Sequence, residues 1–196
     1  HHNTGRRQRQ MCIRDSYDIV GLQETLPHQV KDVADRLPWM SYVGRGRDAD
    51  GGGESCPLFY NHDKWELLHH ETLWLAVDWK RPGAIGWSAD LPRIVTVAWF
   101  HQLDTGRRIR VYNTHWSHVS AVAREASAQL IASLDAIHKS DATVVLGDFN
   151  EEAQGAGRLA LSNAGFTDTY NTLRARCRRS FPCLLYTSPS PRDRQE

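Results

Sequence analysis

Three short apolar runs in this chain each end in polar residues. Ile19-Val-Gly-Leu22 leads into Gln23-Glu24, Ile109-Arg-Val-Tyr112 into Asn113-Thr-His115, and Val144-Val-Leu-Gly147 into Asp148-Phe-Asn150. The residue types at those ends fit one chemistry. Glu24 is a hard oxygen ligand of the kind Mg²⁺ takes alongside waters and phosphate oxygens. Asp148 can orient or deprotonate an attacking water, and Asn150 can fix that aspartate or the water by hydrogen bonding. His115 can donate a hydrogen bond to a phosphoryl oxygen as charge builds on it. Together they describe metal-assisted hydrolysis of a phosphate ester. Singly, each has an ordinary alternative: Gln-Glu in a helix first turn, Asp and Asn in a local turn, a structural histidine at a strand end. The joint occurrence of all three ends favours the chemical reading.

Such residues converge only if strands carry them to one edge. Alternation along a strand puts Asp148 and Asn150 on one face with Phe149 on the other, and pairs Asn113 with His115. Residues 57–61, 65–68, 72–77, 93–102 and 108–115 read as strands, the last two joined by a turn at Asp104-Thr-Gly106. Ala142-Thr-Val-Val-Leu146 reads as a buried strand. Residues 27–37 read as a helix with Pro27 near its start, and 157–163 as one with Gly165 beyond its end. The strongest helix spans 120–139, with Val122, Ala126, Leu130, Ile131, Leu134 and Ile137 as its apolar stripe. Residues 44–53 and 81–92 are loops. Strands concentrated between flanking helices predict a layered α/β protein.

Composition sets limits on partners. The 196 residues carry a net charge of +1 and are 40% hydrophobic, as expected of one globular domain. No stretch approaches the ~20 apolar residues of a membrane span. Residues 17–172 hold 14 basic and 20 acidic residues, a net of −6, and all seven Trp. A core of that sign disfavours a nucleic-acid polyanion unless a local groove or metal compensates. The run Arg107, Arg108, Arg110 reads as a solvated hairpin face, and Trp74, Trp79, Trp87 and Trp116 as core or rim packing rather than a stacking pocket. The four cysteines, 12, 56, 177 and 183, form no C-x-x-C pair. His115 with His118, and His69, His70 and His101, are the material for a rival zinc site, but their spacing matches no recognised zinc pattern.

The termini read differently from the middle. Residues 1–16 and 173–196 are Arg-rich and lack apolar periodicity. Gln10-Met-Cys-Ile-Arg-Asp-Ser16 and 183–193 resemble translated sequencing-adapter DNA, a contaminant of assembled environmental sequences. The expected organisation is therefore a globular part at 17–172 between two adapter-like or disordered tails.

Asp18-Ile-Val-Gly-Leu-Gln-Glu24, Asn113-Thr-His115 and Gly147-Asp-Phe-Asn150 together resemble the endonuclease/exonuclease/phosphatase superfamily, with its deoxyribonuclease I-like fold. Gly46-Arg-Asp48, Gly53-Glu54, Pro57-Leu-Phe-Tyr60, Thr72-Leu-Trp-Leu75, Gly86-Trp87 and Pro92-Arg-Ile94 resemble one bacterial-type branch of it. The resemblance covers 17–172. It implies a four-layer α/β sandwich, two face-to-face mixed but mainly antiparallel sheets flanked by helices, here incomplete. It also implies hydrolysis of phosphodiesters or phosphomonoesters with Mg²⁺, or Mn²⁺ as the alternative ion. Glu24 then matches the metal-binding glutamate, His115 the phosphate-contacting histidine, and Asp148 and Asn150 the pair that positions the water. Arg47, Glu54, Arg93 and His118 fall in branch motifs and are candidates for the substrate pocket. The implied substrate is a phosphorylated small molecule or a nucleic acid, and the implied state a monomer. Residues 1–16 supply no strand ending in asparagine, and no Asp-His pair follows Asn150, although the family pattern contains both. The expectation is thus a catalytically incomplete part of a parent hydrolase. A non-catalytic module that binds a phosphorylated ligand is the alternative.

Overall fold

The computed structural model describes residues 17–137 and 140–169, and the two tail segments set apart by composition lie outside them. Strand β1 (Ile19–Gly21) is followed by helix α1 (Pro27–Arg36), β2 (Met40–Val43), β3 (Leu58–Asn61), β4 (Trp65–Trp74), β5 (Ile94–Gln102), β6 (Arg108–His115), α2 (Ala121–Ile137), β7 (Ala142–Asp148) and α3 (Ala156–Asn163). The first sheet has the order β1-β3-β2 and is antiparallel throughout. The second has the order β4-β5-β6-β7, with only β6 and β7 parallel because α2 crosses between them.

Alternation along the strands divides the core into layers. Leu58 and Tyr60 of the first sheet meet Ala98, Phe100 and Val111 of the second in one buried cluster. On the outer side of the first sheet, Phe59 packs against Val30 of α1 and Met40. On the outer side of the second, Val95, Val97 and Tyr112 pack against Ala128 and Ile131 of α2 and Leu161 of α3. The order helix, sheet, sheet, helix is the four-layer sandwich. Each fully buried Leu, Phe or Val contributes about 1.5–3 kcal/mol by leaving water. No helix among the described residues is long and apolar enough to cross a membrane.

Local chemistry sets the helix ends. Pro27 sits in the first turn of α1, and the Leu26 N–H donates to Gln29 Oε1 at 2.9 Å in place of a Ser or Asp cap. Ser120 Oγ accepts the Ala123 N–H at 3.1 Å and caps α2. After α3 the Phe166 N–H closes onto Leu161 O at 3.0 Å, and Gly165 takes a φ of +95°.

Several sequence expectations need correction. Strand β2 was not anticipated: it is four residues long, and its order comes from pairing with β3. The two strands expected at 65–68 and 72–77 are one, β4, paired with β5 along its length. A register shift between Leu67 and His69 breaks its alternation, and its position at the sheet edge leaves His69, His70 and Glu71 exposed. The face that α2 buries is Ile131 with the small residues Ala123, Ser127 and Ala128, which let the helix approach the sheet; Leu130 and Leu134 pack partly buried beside it, while Val122 and Ile137 are exposed. The basic run is not a uniform solvated face. Arg110 is fully buried and pairs with Asp135 at 2.7 Å, because position 110 alternates onto the α2 side of β6. Of the four tryptophans, Trp74 and Trp116 are core and Trp79 and Trp87 pack partly buried against it.

Candidate active site

The alternation that buries Val111 between the sheets also aims Asn113 and His115 at the first sheet. Asn113 is fully buried there. Its Nδ2 donates to Leu22 O and Pro57 O, both at 2.8 Å, and its Oδ1 accepts from Gln23 Nε2 at 2.7 Å. One amide thus ties the end of β1 and the approach to β3 onto β6. The next residues are pinned as well: Thr25 and Ser55 exchange backbone hydrogen bonds at 3.3 and 2.8 Å. Between these anchors Glu24 takes a φ of +56°, unusual for a residue with a side chain. Its exposed carboxylate lies with Oε1 3.8 Å from His115 Nδ1.

The second sheet supplies the rest. Strand β7 runs parallel to β6 in a register that sets His115 beside Asp148. Gly147, with a φ of +146°, lies so close that a Cβ there would meet the Thr114 carbonyl carbon at 2.9 Å. Asp148 and Asn150 do come together, but through a turn rather than through strand alternation. The strand ends at Asp148, Asn150 has a φ of +46°, and its N–H donates to Asp148 Oδ1 at 2.9 Å. Phe149 turns the other way onto Trp116, with ring centroids 4.6 Å apart.

Asn150 Nδ2 donates to Trp116 O at 3.0 Å and lies 2.9 Å from His115 Nε2. The carbonyl fixes the amide's orientation, so Nε2 is the acceptor and the proton of a neutral His115 sits on Nδ1. Burial first, and then the Arg93 charge, hold this imidazole below its ordinary pKa of 6.5. The unfolded chain therefore takes up a proton at His115 before the folded one does, and stability is lost as pH falls below about 6.5. We expect the unfolding free energy of the wild type relative to His115→Gln to decrease from pH 7.5 to 5.5, read by urea titration. A difference that stays flat would remove the buried, Asn150-bonded neutral histidine.

Glu24, Arg47, Glu54, Arg93 and His115 line one open cleft, together with Ser55 and Cys56. Arg47 and Glu54 stand side by side because the Arg47 N–H donates to Glu54 O at 3.0 Å, and their side chains pair at 2.6 Å. Arg93 is buried, and its Nη2 donates to His118 Nδ1 at 2.9 Å. Asp90, which the sequence reading did not single out, lies 3.9 Å from Arg93 Nη2 and 3.8 Å from His118 Nε2. Arg93 Nε is buried and finds no hydrogen-bond partner among the described residues. His118, more than half exposed, touches the cleft residue Arg93 without lining the cleft itself, and Asn150 links Asp148 to His115 at the other end. Cys56 is no nucleophile: burial pushes its thiol up to about 12.

The exposed Glu24 carboxylate offers one hard oxygen donor facing open space, which fits an ion that keeps most of its waters, as Mg²⁺ does. Among the described residues no three His, Cys, Asp or Glu side chains group as a metal cage. His115 Nε2 is engaged with Asn150 and His118 Nδ1 with Arg93.

Solved structures with this architecture include three from Bacteroides. An endonuclease/exonuclease/phosphatase from Bacteroides vulgatus is 38% identical with a TM-score of 0.74, over 80% of this chain and 61% of that one. A family protein from Bacteroides thetaiotaomicron is 34% identical with a TM-score of 0.73, over 80% and 57%. The mannosyl-6-phosphatase of that organism is 32% identical with a TM-score of 0.74, over 80% and 60%. The chain therefore spans about three-fifths of the length of these proteins. No curated protein sequence matches it significantly. The family model for endonucleases, exonucleases and phosphatases matches residues 3–194, and the chain belongs to the endonuclease/exonuclease/phosphatase family.

Proposed function

We propose that this domain hydrolyses phosphate esters by attack of an activated water, with a phosphorylated small molecule as substrate. The observation that carries this reading is the single cleft edge on which Glu24, His115, Asn150 and Asp148 meet from both sheets. Glu24 would hold Mg²⁺, or Mn²⁺. Bound there, the ion would lower the charge on the phosphoryl oxygens. His115 donates from Nδ1 to a phosphoryl oxygen. Asn150 keeps that tautomer in place by occupying Nε2. Asp148 has one carboxylate oxygen fixed by the Asn150 N–H and directs the other at the water.

Two features support a small substrate over a nucleic acid. The acidic balance of 17–172 repels a polyanion. Pairing with Glu54 already neutralises Arg47. The likeness to a mannosyl-6-phosphatase favours a phosphomonoester on a polyhydroxylated carrier.

The test uses two proteins, the chain itself and a chimaera in which the Bacteroides vulgatus relative supplies the remaining length. Both are assayed on p-nitrophenyl phosphate, its bis-ester and hexose 6-phosphates. The expected result is phosphate release that requires Mg²⁺ and stops with EDTA, fastest on the monoesters. Phosphate-ester binding without turnover in either protein would replace the reading with the binding-module alternative.

A further inference from the structure

Glu151, the residue after Asn150, is charged yet nearly enclosed, its side chain 6% exposed. Three features account for its burial. Its Oε1 pairs with Arg124 Nε at 3.5 Å, and its Oε2 accepts the Arg158 N–H at 2.9 Å in the first turn of α3. Space for the carboxylate comes from two glycines: a Cβ at Gly155 would stand 2.6 Å from Oε2, and one at Gly157 would stand 3.0 Å from Oε2 and 2.7 Å from Trp116 Cζ3. Arg124 in turn spends its Nη1 on main chain, donating to Ser117 O at 2.9 Å and to His118 O at 3.4 Å. Asn150 holds the preceding carbonyl, Trp116 O. Three successive carbonyls, 116 to 118, are thereby held, the first by Asn150 and the next two by Arg124 of α2, which Glu151 ties to the loop carrying Asp148 and Asn150. The side chain at the end of that grip is His118, which accepts from Arg93 at 2.9 Å. Arg93 lines the cleft and carries a buried Nε–H with no partner among the described residues, the sort of donor that an anion's oxygen would satisfy once bound against this guanidinium.

We propose that Glu151 and Arg124 are positioning residues: they fix the 116–118 segment so that His118 holds Arg93 on the cleft wall as a seat for an oxyanion. The water side of the cleft, at Asp148, and its anion side, at Arg93, are then set by one ion pair behind both. Glu151 and Arg124 touch no reacting atom. The inference rests on the cleft being the phosphate-ester site, but its structural part can be tested without turnover.

Accepting from Arg93 at Nδ1 places the His118 proton on Nε2, the opposite tautomer to His115. Long-range ¹H–¹⁵N spectra of the imidazoles of the 196-residue chain, at about pH 8 and so above the ~6.5 of a free imidazole, read both tautomers directly. In Glu151→Gln we expect the His118 pattern to collapse to a tautomer average while His115 keeps its Nδ1–H pattern. Orthophosphate affinity, by calorimetry without metal, should fall about 10-fold, the worth of one charge-assisted hydrogen bond. Arg124→Lys should do the same, because a single ammonium cannot supply the guanidinium fork, and it serves if Glu151→Gln unfolds the chain. An unchanged His118 pattern in a folded variant overturns the proposal. Absence of Mg²⁺-dependent hydrolysis in the unsubstituted chimaera, with the His118 response of Glu151→Gln intact, would instead overturn the phosphoesterase reading and leave the positioning network standing.

Discussion

Asp148→Ala is expected to lower kcat of the chimaera by about 10²–10⁴-fold, the range supplied by a positioned acid–base group, with KM nearly unchanged. The geometry separates this effect from unfolding. Asp148 is exposed at the last position of β7, and its Oδ1 accepts only the Asn150 N–H. Losing that bond costs about 1 kcal/mol, too little to unfold a domain. The residues that hold the site, His115, Trp116 and Phe149, keep their contacts with each other or with the core. Initial rates of phosphate release beside a thermal melt decide the matter. A variant that keeps more than a tenth of the wild-type kcat would move the water-activating role elsewhere. Asp148→Asn sharpens the comparison, since it keeps the acceptor for the Asn150 N–H but loses the charge. It should match Asp148→Ala in rate and the wild type in stability.

Elements that announce themselves by local chemistry were legible in the sequence. Pro27 and its apolar stripe gave α1, the Asp104-Thr-Gly106 turn gave the β5–β6 hairpin, and three apolar runs with polar ends gave Glu24, His115 and Asp148. The four-layer order followed from the resemblance and agrees with the three core clusters. What stayed hidden depends on long-range partners. Tyr42 and its neighbours become a strand only because β3 lies beside them. Arg110 looks like surface charge until Asp135 arrives from α2 to pair with it. Asp148 and Asn150 were placed together for the wrong reason: a backbone turn with a positive φ joins them, and alternation alone ends at Asp148. Glu151 and Arg124 are 27 residues apart, and nothing in the local sequence of either points to the other. Asp90 shows the same limit, since its closeness to Arg93 and His118 depends on how the 81–92 loop folds back.

The largest loss of stability from a single polar change is expected at Asn113. Leucine shares the branched outline of asparagine but has bulkier methyls, so Asn113→Leu leaves no cavity and crowds methyl groups against carbonyl oxygens now 2.8 Å from Nδ2. It strands the Leu22 carbonyl, leaves Pro57 O with the Leu22 N–H at 3.1 Å, and leaves Gln23 Nε2 with the Gly21 carbonyl at 3.3 Å. A buried group left without a partner costs about 1–3 kcal/mol and overpacking about 1–3 kcal/mol, so about 3–5 kcal/mol should be lost, a large part of the ~5–15 kcal/mol that holds a domain folded. Asn113→Asp probes the same site from the other side. It retains an acceptor for Gln23 but loses both donors and places a carboxylate against two carbonyl oxygens, so it should destabilise at least as much. Urea unfolding of the chain, followed by tryptophan fluorescence and far-UV circular dichroism, measures both variants. The location of the damage matters as much as its size. Asn113 is the amide that fixes the end of the first sheet carrying Glu24 against the strand carrying His115. At temperatures where Asn113→Leu stays folded, the chimaera should need more Mg²⁺ to reach half-maximal rate, because Glu24 is no longer held in register with the second sheet. An Asn113→Leu chain as stable as wild type, or a folded one with an unchanged Mg²⁺ requirement, would show that the two halves of the site are aligned by something other than this amide.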